Sequence, residues 1–422
     1  FCSSFVAEVK ILYDLSIHLY FALLRWVSPF NEKAAAFLLG RKHLFWLEIP
    51  EKDPQTIRYW FHVASLGEFE QCRPVIEALK KEQFPIEIVL TFFSPSGYEV
   101  QKNYGEADWV GYIPKDQYTL ASHFVQQINP DQAIFVKYEF WLNHLQACFD
   151  LQIPVVFFSV IFRTNHIYFG IARKLYEKYF RSVTQFFVQD QKSADLLLQL
   201  GVSQVTVAGD TRFDRVITIA DQAKSLPLIE RFAQQDQVWV LGSVWPADMD
   251  VLSPFILKEA AKDTQFILAP HSISTDSIDY FQKRFPKAIR YSQISDRTDL
   301  KEASILILDT IGLLSATYKY ANYAYVGGAF GAGLHNTIEA TVYGIPVFFG
   351  RSPKNLKFNE CQELIFEGAA FDFDDLPEFM SHFELLNSEP SNHQKAADAA
   401  FTYTRSRQGA TARIVNYLTK RF

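Results

Sequence analysis

Two carboxylates, two guanidinium groups and a glycine-rich loop sit where apolar runs of this chain give way to helical patterns. In HVASLGEFE (62–70) an apolar run ends at Ser65, Gly67 permits a turn, and Glu68 opens the next helix. A carboxylate at such a junction can accept the proton of an attacking hydroxyl, and the same residue also complements the helix dipole. In KYEFWLN (137–143) Glu139 stands beside Trp141, a pairing that suits sugar hydroxyls and ring faces as well as a helix cap and a core ring. Arg163, in FFSVIFRTN, follows another apolar run and suits a carboxylate or phosphate, or plain solvent. Arg212 and Asp214, in VAGDTRFD, form a candidate ion pair. In VLGSVWPADMD, Gly242 and Ser243 precede a helix started near Pro246, which offers amides and a hydroxyl to an anion. In LDTIGLLS, Asp309 and Thr310 can cap another helix.

The most distinctive stretch is VGGAFGAGLHNTIEATVYGIPVFFG (326–350). A dinucleotide fingerprint needs G-x-G-x-x-G after the first strand of its fold. Here the spacing is GG-x-x-G-x-G and the position is late, which disfavours hydride-transfer chemistry. The pattern predicts a loop passing under a phosphate, including Gly328, with His335 and Asn336 at the mouth of a helix beginning near His335. Glu339 falls on the same helical face, within reach of ribose hydroxyls.

These junctions need parallel sheets to hold them. Continuous β-branched and aromatic runs at 57–64, 86–93, 109–113, 133–138, 154–160, 185–189 and 204–208 alternate with helical patterns, as in strands buried on both faces. The rhythm restarts at 237–243, 265–269, 304–309, 322–327 and 346–349, and the tail beyond 375 reads as helical. The fold class is therefore α/β, with two Rossmann-like doubly wound domains, a boundary near 206–225 and ligands at the carboxyl ends of the strands. Such domains are expected to face each other across a cleft.

With 422 residues the chain suits two domains, and 49% hydrophobic against 21% charged residues argues against disorder. A net charge of −6 leaves no electrostatic footprint for nucleic acid. Cys2, Cys72, Cys148 and Cys361 have no CxxC spacing, which speaks against a zinc site or a disulfide framework. Residues 11–27 (ILYDLSIHLYFALLRWV) are apolar but interrupted, short of the ~20 apolar residues of a spanning helix. Lys10, Asp14, His18 and Arg25 share one face of a greasy helix, so the segment reads either as an amphipathic helix lying in a membrane interface or as a helix docked on a domain. A cleaved signal peptide fits poorly, because no small-residue cleavage site follows.

The chain resembles the Kdo transferases of lipid A assembly, 3-deoxy-D-manno-octulosonic acid (Kdo) transferases with the GT-B fold. The resemblance is carried by HVASLGE (62–68), KYEFW (137–141), PVVFFSVIFR (154–163), AGDTRFD (208–214), GSVW (242–245), LAPH (268–271), LDTIGLL (308–314) and GGAFGAGLHNTIEATVYGIPVFFG (327–350). It implies that Glu68 is the catalytic base, with Ser65, Gly67, Glu139 and Arg163 around the sugars. Arg212 occupies a position usually filled by lysine, and Ser243, Gly328, His335, Asn336 and Glu339 fall on the nucleotide side. The family usually has Ala-Pro-Arg-His where this chain reads Ala269-Pro270-His271-Ser272, so His271 or a nearby cation such as Arg351 would support the donor.

The resemblance further implies a membrane-associated segment at 1–45, an acceptor domain at 46–210, a CMP-Kdo domain at 211–400 and a C-terminal helix at 401–422 packing back on the N-terminal domain. The implied reaction is inverting, metal-independent transfer of Kdo from CMP-Kdo to a tetraacyl lipid A precursor, with no cofactor, at the cytoplasmic face of the bacterial inner membrane. No Asp-x-Asp pair sits at a junction, since Asp248 and Asp250 fall inside a predicted helix. The alternatives are another GT-B enzyme using a UDP-sugar, a UDP-GlcNAc 2-epimerase-like protein, or a two-lobed solute-binding protein without catalysis.

Overall fold

The computed structural model describes all residues except 1, 43–48, 296–297, 299, 301–302, 332 and 421–422, and the side chains of 2–7 and 356–357 are likewise left aside. The chain divides into two compact units, the first made of residues 1–215 and 409–422 and the second of residues 216–408. The boundary expected between 45 and 46 falls outside the described residues.

The first unit holds seven parallel strands: β1 (Ile57–Val63), β2 (Ile86–Phe92), β3 (Trp109–Tyr112), β4 (Gln132–Val136), β5 (Val155–Val160), β6 (Gln185–Val188) and β7 (Val205–Val207). Their order is β3-β2-β1-β4-β5-β6-β7, so the winding reverses between β1 and β4. Both faces are covered, which is why the strands read as mostly apolar runs without a strict alternation of polar and apolar residues. On one face a row of rings crosses the sheet: Trp60, Phe135, Phe157 and Phe186, with successive centroids 5.2, 5.2 and 5.4 Å apart. On the other face Phe61, Val63, Ile134 and Phe158 pack beneath helices Leu66–Leu79 and Ala410–Thr419. That last helix is pinned by Asp214, whose carboxylate accepts from the Gly409 and Thr411 amides at 2.6 and 2.8 Å. Gly409 turns the chain there at φ 111°.

The second unit repeats the plan with β8 (Gln237–Val244), β9 (Thr264–Pro270), β10 (Ile289–Arg290), β11 (Ile305–Ile307), β12 (Tyr323–Val326), β13 (Val347–Gly350) and β14 (Ala370–Phe373). The order is β10-β11-β9-β8-β12-β13-β14, all parallel, and the reversal lies between β8 and β12. Its core gathers around Trp239, which stacks on Tyr323 at 4.8 Å and meets Phe348 at 5.3 Å and Phe379 at 5.8 Å. Strands β10 and β14 were not anticipated. One is two residues long, and the other (AFDF) carries Asp372, which breaks the apolar run.

The N-terminal helix Cys2–Val27 docks on the first unit, and it does so with its polar face inward. Lys10 donates to Asp14 at 2.7 Å and to Asn143 at 2.9 Å, and Asn143 returns a bond to Asp14 at 2.9 Å. Tyr13 donates to the buried Asp116, while Ile17 and Phe21 pack inward. The outward stripe is Leu12, Leu15, Leu19, Leu23 and Trp26, the last 75% exposed. The expected polar face is thus consumed by the protein for its first half, whereas His18 and Arg25 stay exposed. No helix among the described residues is long and apolar enough to cross a membrane. Cys72, Cys148 and Cys361 are buried, each in an apolar cluster or beside one, and the side chain of Cys2 lies outside the described residues.

Candidate functional site

In the first unit the expected residues gather at the reversal point of the sheet. Glu68 lies in the first turn of helix Leu66–Leu79, directly after β1, and accepts a bond from the N-cap residue Ser65. Gly67 belongs to that helical turn rather than to a tight turn before it, and a Cβ there would meet nothing closer than the Ser65 hydroxyl at 3.7 Å. Its use is therefore not steric relief within the fold.

Glu139 follows β4, which ends at Val136, two residues before the expected end. Neither Glu139 nor Trp141 lies inside a helix: Trp141 is the N-cap of Leu142–Asp150, and Glu139 sits in the connecting loop. Lys137, at φ 57°, turns that loop sharply, a left-handed conformation that costs a non-glycine residue about 1–2 kcal/mol. Glu139 is held on one oxygen: the Trp141 indole N–H donates to Oε2 at 2.7 Å, and His62 Nε2 lies 3.1 Å from the same atom. Burial pushes the His62 pKa down, against the pull of Glu139. His62 bridges Glu139 and Thr91, its Nε2 on the carboxylate and its Nδ1 2.9 Å from the Thr91 hydroxyl, which itself donates to the Phe61 carbonyl at 3.2 Å. Trp60 donates in turn to Thr91 at 2.9 Å. This chain fixes Glu139 from inside the core.

Arg163 and His166 follow β5, and His166 sits edge-on to Tyr138 at 5.3 Å. Tyr138 is pushed up to about 12 by burial, with Arg163 pulling it down and Glu68 among the charges that raise it. Tyr168 is raised to about 12 by burial and by Glu139. Glu68, Glu139 and Arg163 each follow one of three adjacent strands, β1, β4 and β5, and the rings of Tyr138, His166 and Tyr168 pack together after β4 and β5. The three rings were missed by sequence reasoning, since each reads as an ordinary core aromatic. Arg212 belongs to this unit too: it chelates Asp210 at 2.7 and 2.8 Å, and Gln71 donates to the same carboxylate at 2.9 Å. Burial pushes Asp210 up, but Arg212, Lys137 and Gln71 outweigh it and hold the carboxyl below its usual value.

In the second unit Ser243, the next-to-last residue of β8, and Gly327-Gly328, directly after β12, flank the reversal point. Ser243 adopts φ 52° where the register of β8 on β9 shifts. Asp248, unanticipated, organises this end. It accepts from the Trp245 amide at 2.7 Å, the Gly328 amide at 3.1 Å and the Tyr325 hydroxyl at 2.7 Å. Asp250 instead meets Arg284 at 3.1 Å, so the Asp-x-Asp spacing does not bring two carboxylates together. An acidic residue three positions after Trp245, ahead of an apolar run, was the available signal.

The glycine loop differs from the expected phosphate cradle. The amides of Gly331 and Gly333 donate to the Gly328 carbonyl at 3.0 and 2.8 Å, that of His335 donates to Gly327 at 3.3 Å, and that of Gly328 is held by Asp248. A Cβ on Gly327 would stand 2.5 Å from the Ser243 carbonyl, and one on Gly328 would stand 2.3 Å from the Gly333 carbonyl. These two glycines are demanded by the fold itself. The helix expected near His335 is only Ile338–Thr341, too short to focus a dipole, and His335 and Asn336 lie in the loop before it. Glu339 accepts from Asn336 at 3.1 Å and from Ser315 at 2.6 Å. The Asn336 Oδ1 is buried and has no hydrogen-bond partner among the described residues.

His271 takes a defined place. Its ring stacks on Trp245 at 4.2 Å and on His335 at 4.7 Å, and the Trp245 indole N–H points at His335 Nε2 from 3.2 Å. Indole only donates, so Nε2 of His335 must accept, and protonation there would break the bond. Burial, with His271 beside it, pulls His335 down to about 4, and burial lowers His271 as well. Beside this cluster a cavity of about 490 Å³ opens at the ends of β9 and β11, lined by His271, Ser272, Thr310, Ile311 and Gly312 among others. Arg351, the alternative cation, is committed elsewhere: Asp372, Asp374 and Glu378 hold it at 3.1, 2.5 and 2.6 Å. Lys354 is the cation that touches the glycine loop, donating to the Gly331 carbonyl at 2.7 Å.

Residues 39–215 match the family model described as 3-Deoxy-D-manno-octulosonic-acid transferase (kdotransferase). A 3-deoxy-D-manno-octulosonic acid transferase of Chlamydophila psittaci is 28% identical over 311 residues, 72% of this chain and 71% of its own. That of Aquifex aeolicus is 26% identical over 334 residues, 78% of this chain and 86% of its own. In fold, the chain is similar to the UDP-GlcNAc 2-epimerase of Neisseria meningitidis, with a TM-score of 0.59 at 15% identity over 86% of this chain and 100% of that one. Most of this chain is thus homologous to proteins named as Kdo transferases, and these relatives support an enzyme of that kind.

Proposed function

We propose that this homologue of the Kdo transferases is an inverting glycosyltransferase that moves Kdo from CMP-Kdo to a hydroxyl of a tetraacyl lipid A precursor. It needs no cofactor beyond its donor and works at the cytoplasmic face of the bacterial inner membrane. The observation that carries the reading is the grouping of Glu68, Glu139 and Arg163 at the reversal point of a sheet inside the matched family domain.

Glu68 takes the proton of the acceptor hydroxyl as its oxygen attacks the anomeric carbon. The bond from that carbon to the CMP phosphate breaks on the opposite side, and CMP leaves with the electron pair. Arg163 matches the negative charge of the sugar acid. Glu139, oriented by His62 and Trp141, accepts hydroxyls of the sugar. In the second unit Ser243 and Lys354 serve the phosphate side, His271 and His335 shape the nucleotide pocket, and the unmet Asn336 Oδ1 accepts from the ligand. The outward leucine stripe supports work at a membrane surface.

The test is a donor screen with mass detection. CMP-Kdo with a tetraacyl precursor is expected to give a heavier lipid and free CMP. Turnover of UDP-sugars with CMP-Kdo left intact would overturn the reading and favour the UDP-sugar alternatives that share this fold.

A further inference from the structure

Lys137 follows β4 directly, at the point where the first unit's sheet reverses its winding. Its amide donates to the Phe158 carbonyl at 3.0 Å, which carries the β4–β5 ladder one residue further and fixes the backbone. The backbone then takes φ 57°, a left-handed conformation that a lysine adopts only against its own preference. Strain of this kind persists where the surroundings impose it, and it gathers at ligand-binding positions. Glycine would take the same angle without strain, so what the lysine adds is its side chain. That side chain is half-buried, and its ammonium forms no hydrogen bond or ion pair with any described residue.

Lys137 acts on the buried Asp210, yet that carboxylate has no site left for it. Oδ1 accepts from the Gln71 side-chain amide and the Arg212 backbone N–H, both at 2.9 Å, and Oδ2 accepts twice from the Arg212 guanidinium, at 2.7 and 2.8 Å. These donors fill the lone-pair positions of a carboxylate. Arg212 already neutralises Asp210, and Lys137 is left as surplus positive charge. Its place follows from Gln71. Glu68 and Gln71 stand three residues apart on helix Leu66–Leu79 and share a face of it. The face that Gln71 turns to Asp210 thus also carries Glu68, and the Lys137 charge lies on that side. Glu139, two residues along, is turned instead to His62 and Trp141. Beside a proton-accepting carboxylate, a surplus cation with unmet donors suits a second anion. An ulosonic acid has one in the right place, because its carboxylate sits on the anomeric carbon itself, the atom that the acceptor oxygen attacks. Left unmatched, that charge would repel both Glu68 and the incoming oxygen.

We propose that Lys137 is a donor-specificity residue whose ammonium holds the carboxylate of the Kdo unit of CMP-Kdo, sharing that group with Arg163. The proposal rests on the transfer reading for the identity of the sugar acid.

The test is calorimetric titration of the full chain, without acceptor, with CMP-Kdo and separately with CMP, which lacks the sugar and its carboxylate. Wild type is expected to bind CMP-Kdo more tightly than CMP. Lys137→Gln should weaken CMP-Kdo about tenfold or more, the range of a hydrogen bond to a charged group, and leave CMP unchanged. Lys137→Arg should restore most of the loss. In transfer assays Lys137→Gln should raise the donor KM and leave the acceptor KM where it was. Lys137→Gly separates binding from structure: relieved of its left-handed strain, it should melt no lower than wild type, yet bind CMP-Kdo as weakly as Lys137→Gln. Should Lys137→Gln fail to fold, as read by its thermal melt, Lys137→Gly decides. Unchanged CMP-Kdo binding in the folded variants overturns the proposal. So does an equal loss for CMP, which puts the ammonium on the phosphate, and so does a wild type that binds CMP-Kdo no better than CMP. A wild type that shows the expected Lys137 dependence but moves no Kdo to a lipid would sink the transfer reading and leave the donor contact standing.

Discussion

The two units build their sites at the same topological place and spend their carboxylates differently. In the first unit, Glu68 and Glu139 stand at the strand ends and remain partly accessible, with Ser65 on one and two ring nitrogens sharing a single oxygen of the other. In the second, Asp248 and Glu339 are turned into braces: Asp248 collects two amides and a hydroxyl, and Glu339 collects Asn336 and Ser315. Residue type at a junction does not separate reagent from brace; what does is whether donors occupy one carboxylate oxygen, as at Glu68 and Glu139, or both, as at Asp248 and Glu339. On the proposed reading the first unit supplies proton transfer and the second supplies shape.

The sharpest way to break this contrast is at the reagent. Glu68→Gln should lower kcat by about 10²–10⁴, the usual worth of a positioned general base, with the thermal melt unchanged. A variant that keeps full turnover removes Glu68 as the base.

The opposite pattern is expected at the brace. Asp248→Ala leaves the Gly328 and Trp245 amides and the Tyr325 hydroxyl without their acceptor, each a cost of about 1–3 kcal/mol if it stays buried. Hydrogen exchange should accelerate in residues 240–250 and 323–336 while the first unit keeps its protection. Uniform loosening of both units would contradict the assignment.

The histidine cluster offers a pH test confined to the second unit. His335 has a folded pKa near 4, below its ordinary 6.5, so the unfolded chain binds more protons between those values. Its contribution to stability is complete above about 6.5 and is lost as the pH falls towards 4. His335→Gln should flatten this loss in pH-dependent melts. An unaltered acid limb would place the titration elsewhere.

The smallest effect compares two serines. Ser159 (φ 53°) and Ser243 (φ 52°) each hold a left-handed conformation where a strand slips register, one per unit. Replacement by glycine relieves about 1–2 kcal/mol of strain, offset in part by glycine's extra loss of backbone freedom, roughly 0.5–1 kcal/mol, so a net gain of about 1 kcal/mol is expected at either place. Only Ser243→Gly should also raise the donor KM, since Ser159 faces Thr211 within the first unit.

The strand ladder was legible because parallel strands buried on both faces are mostly β-branched and aromatic, with isolated polar residues such as Arg58, His62 and Ser159 in 57–64 and 154–160. The positions of Glu68, Glu139 and Arg163 followed from it. What stayed hidden depends on partners remote in sequence. Lys10 and Asp14 look solvent-facing until Asn143 is placed against them. The glycine amides look available until Asp248 and their own carbonyls take them. Arg351 looks like a donor cation until three carboxylates surround it. Tyr138, His166 and Tyr168 carried no spacing signal, because their common neighbourhood arises only where β4 and β5 end side by side.

The central claim, that this chain moves Kdo with Glu68 as base, is tested most directly by mass analysis of lipid products. Wild type and Glu68→Gln would be incubated side by side with CMP-Kdo and a tetraacyl lipid A precursor. The account expects a Kdo-bearing lipid from wild type and almost none from a folded Glu68→Gln protein. A wild-type reaction that leaves the precursor unmodified, or a variant that modifies it equally well, would contradict it.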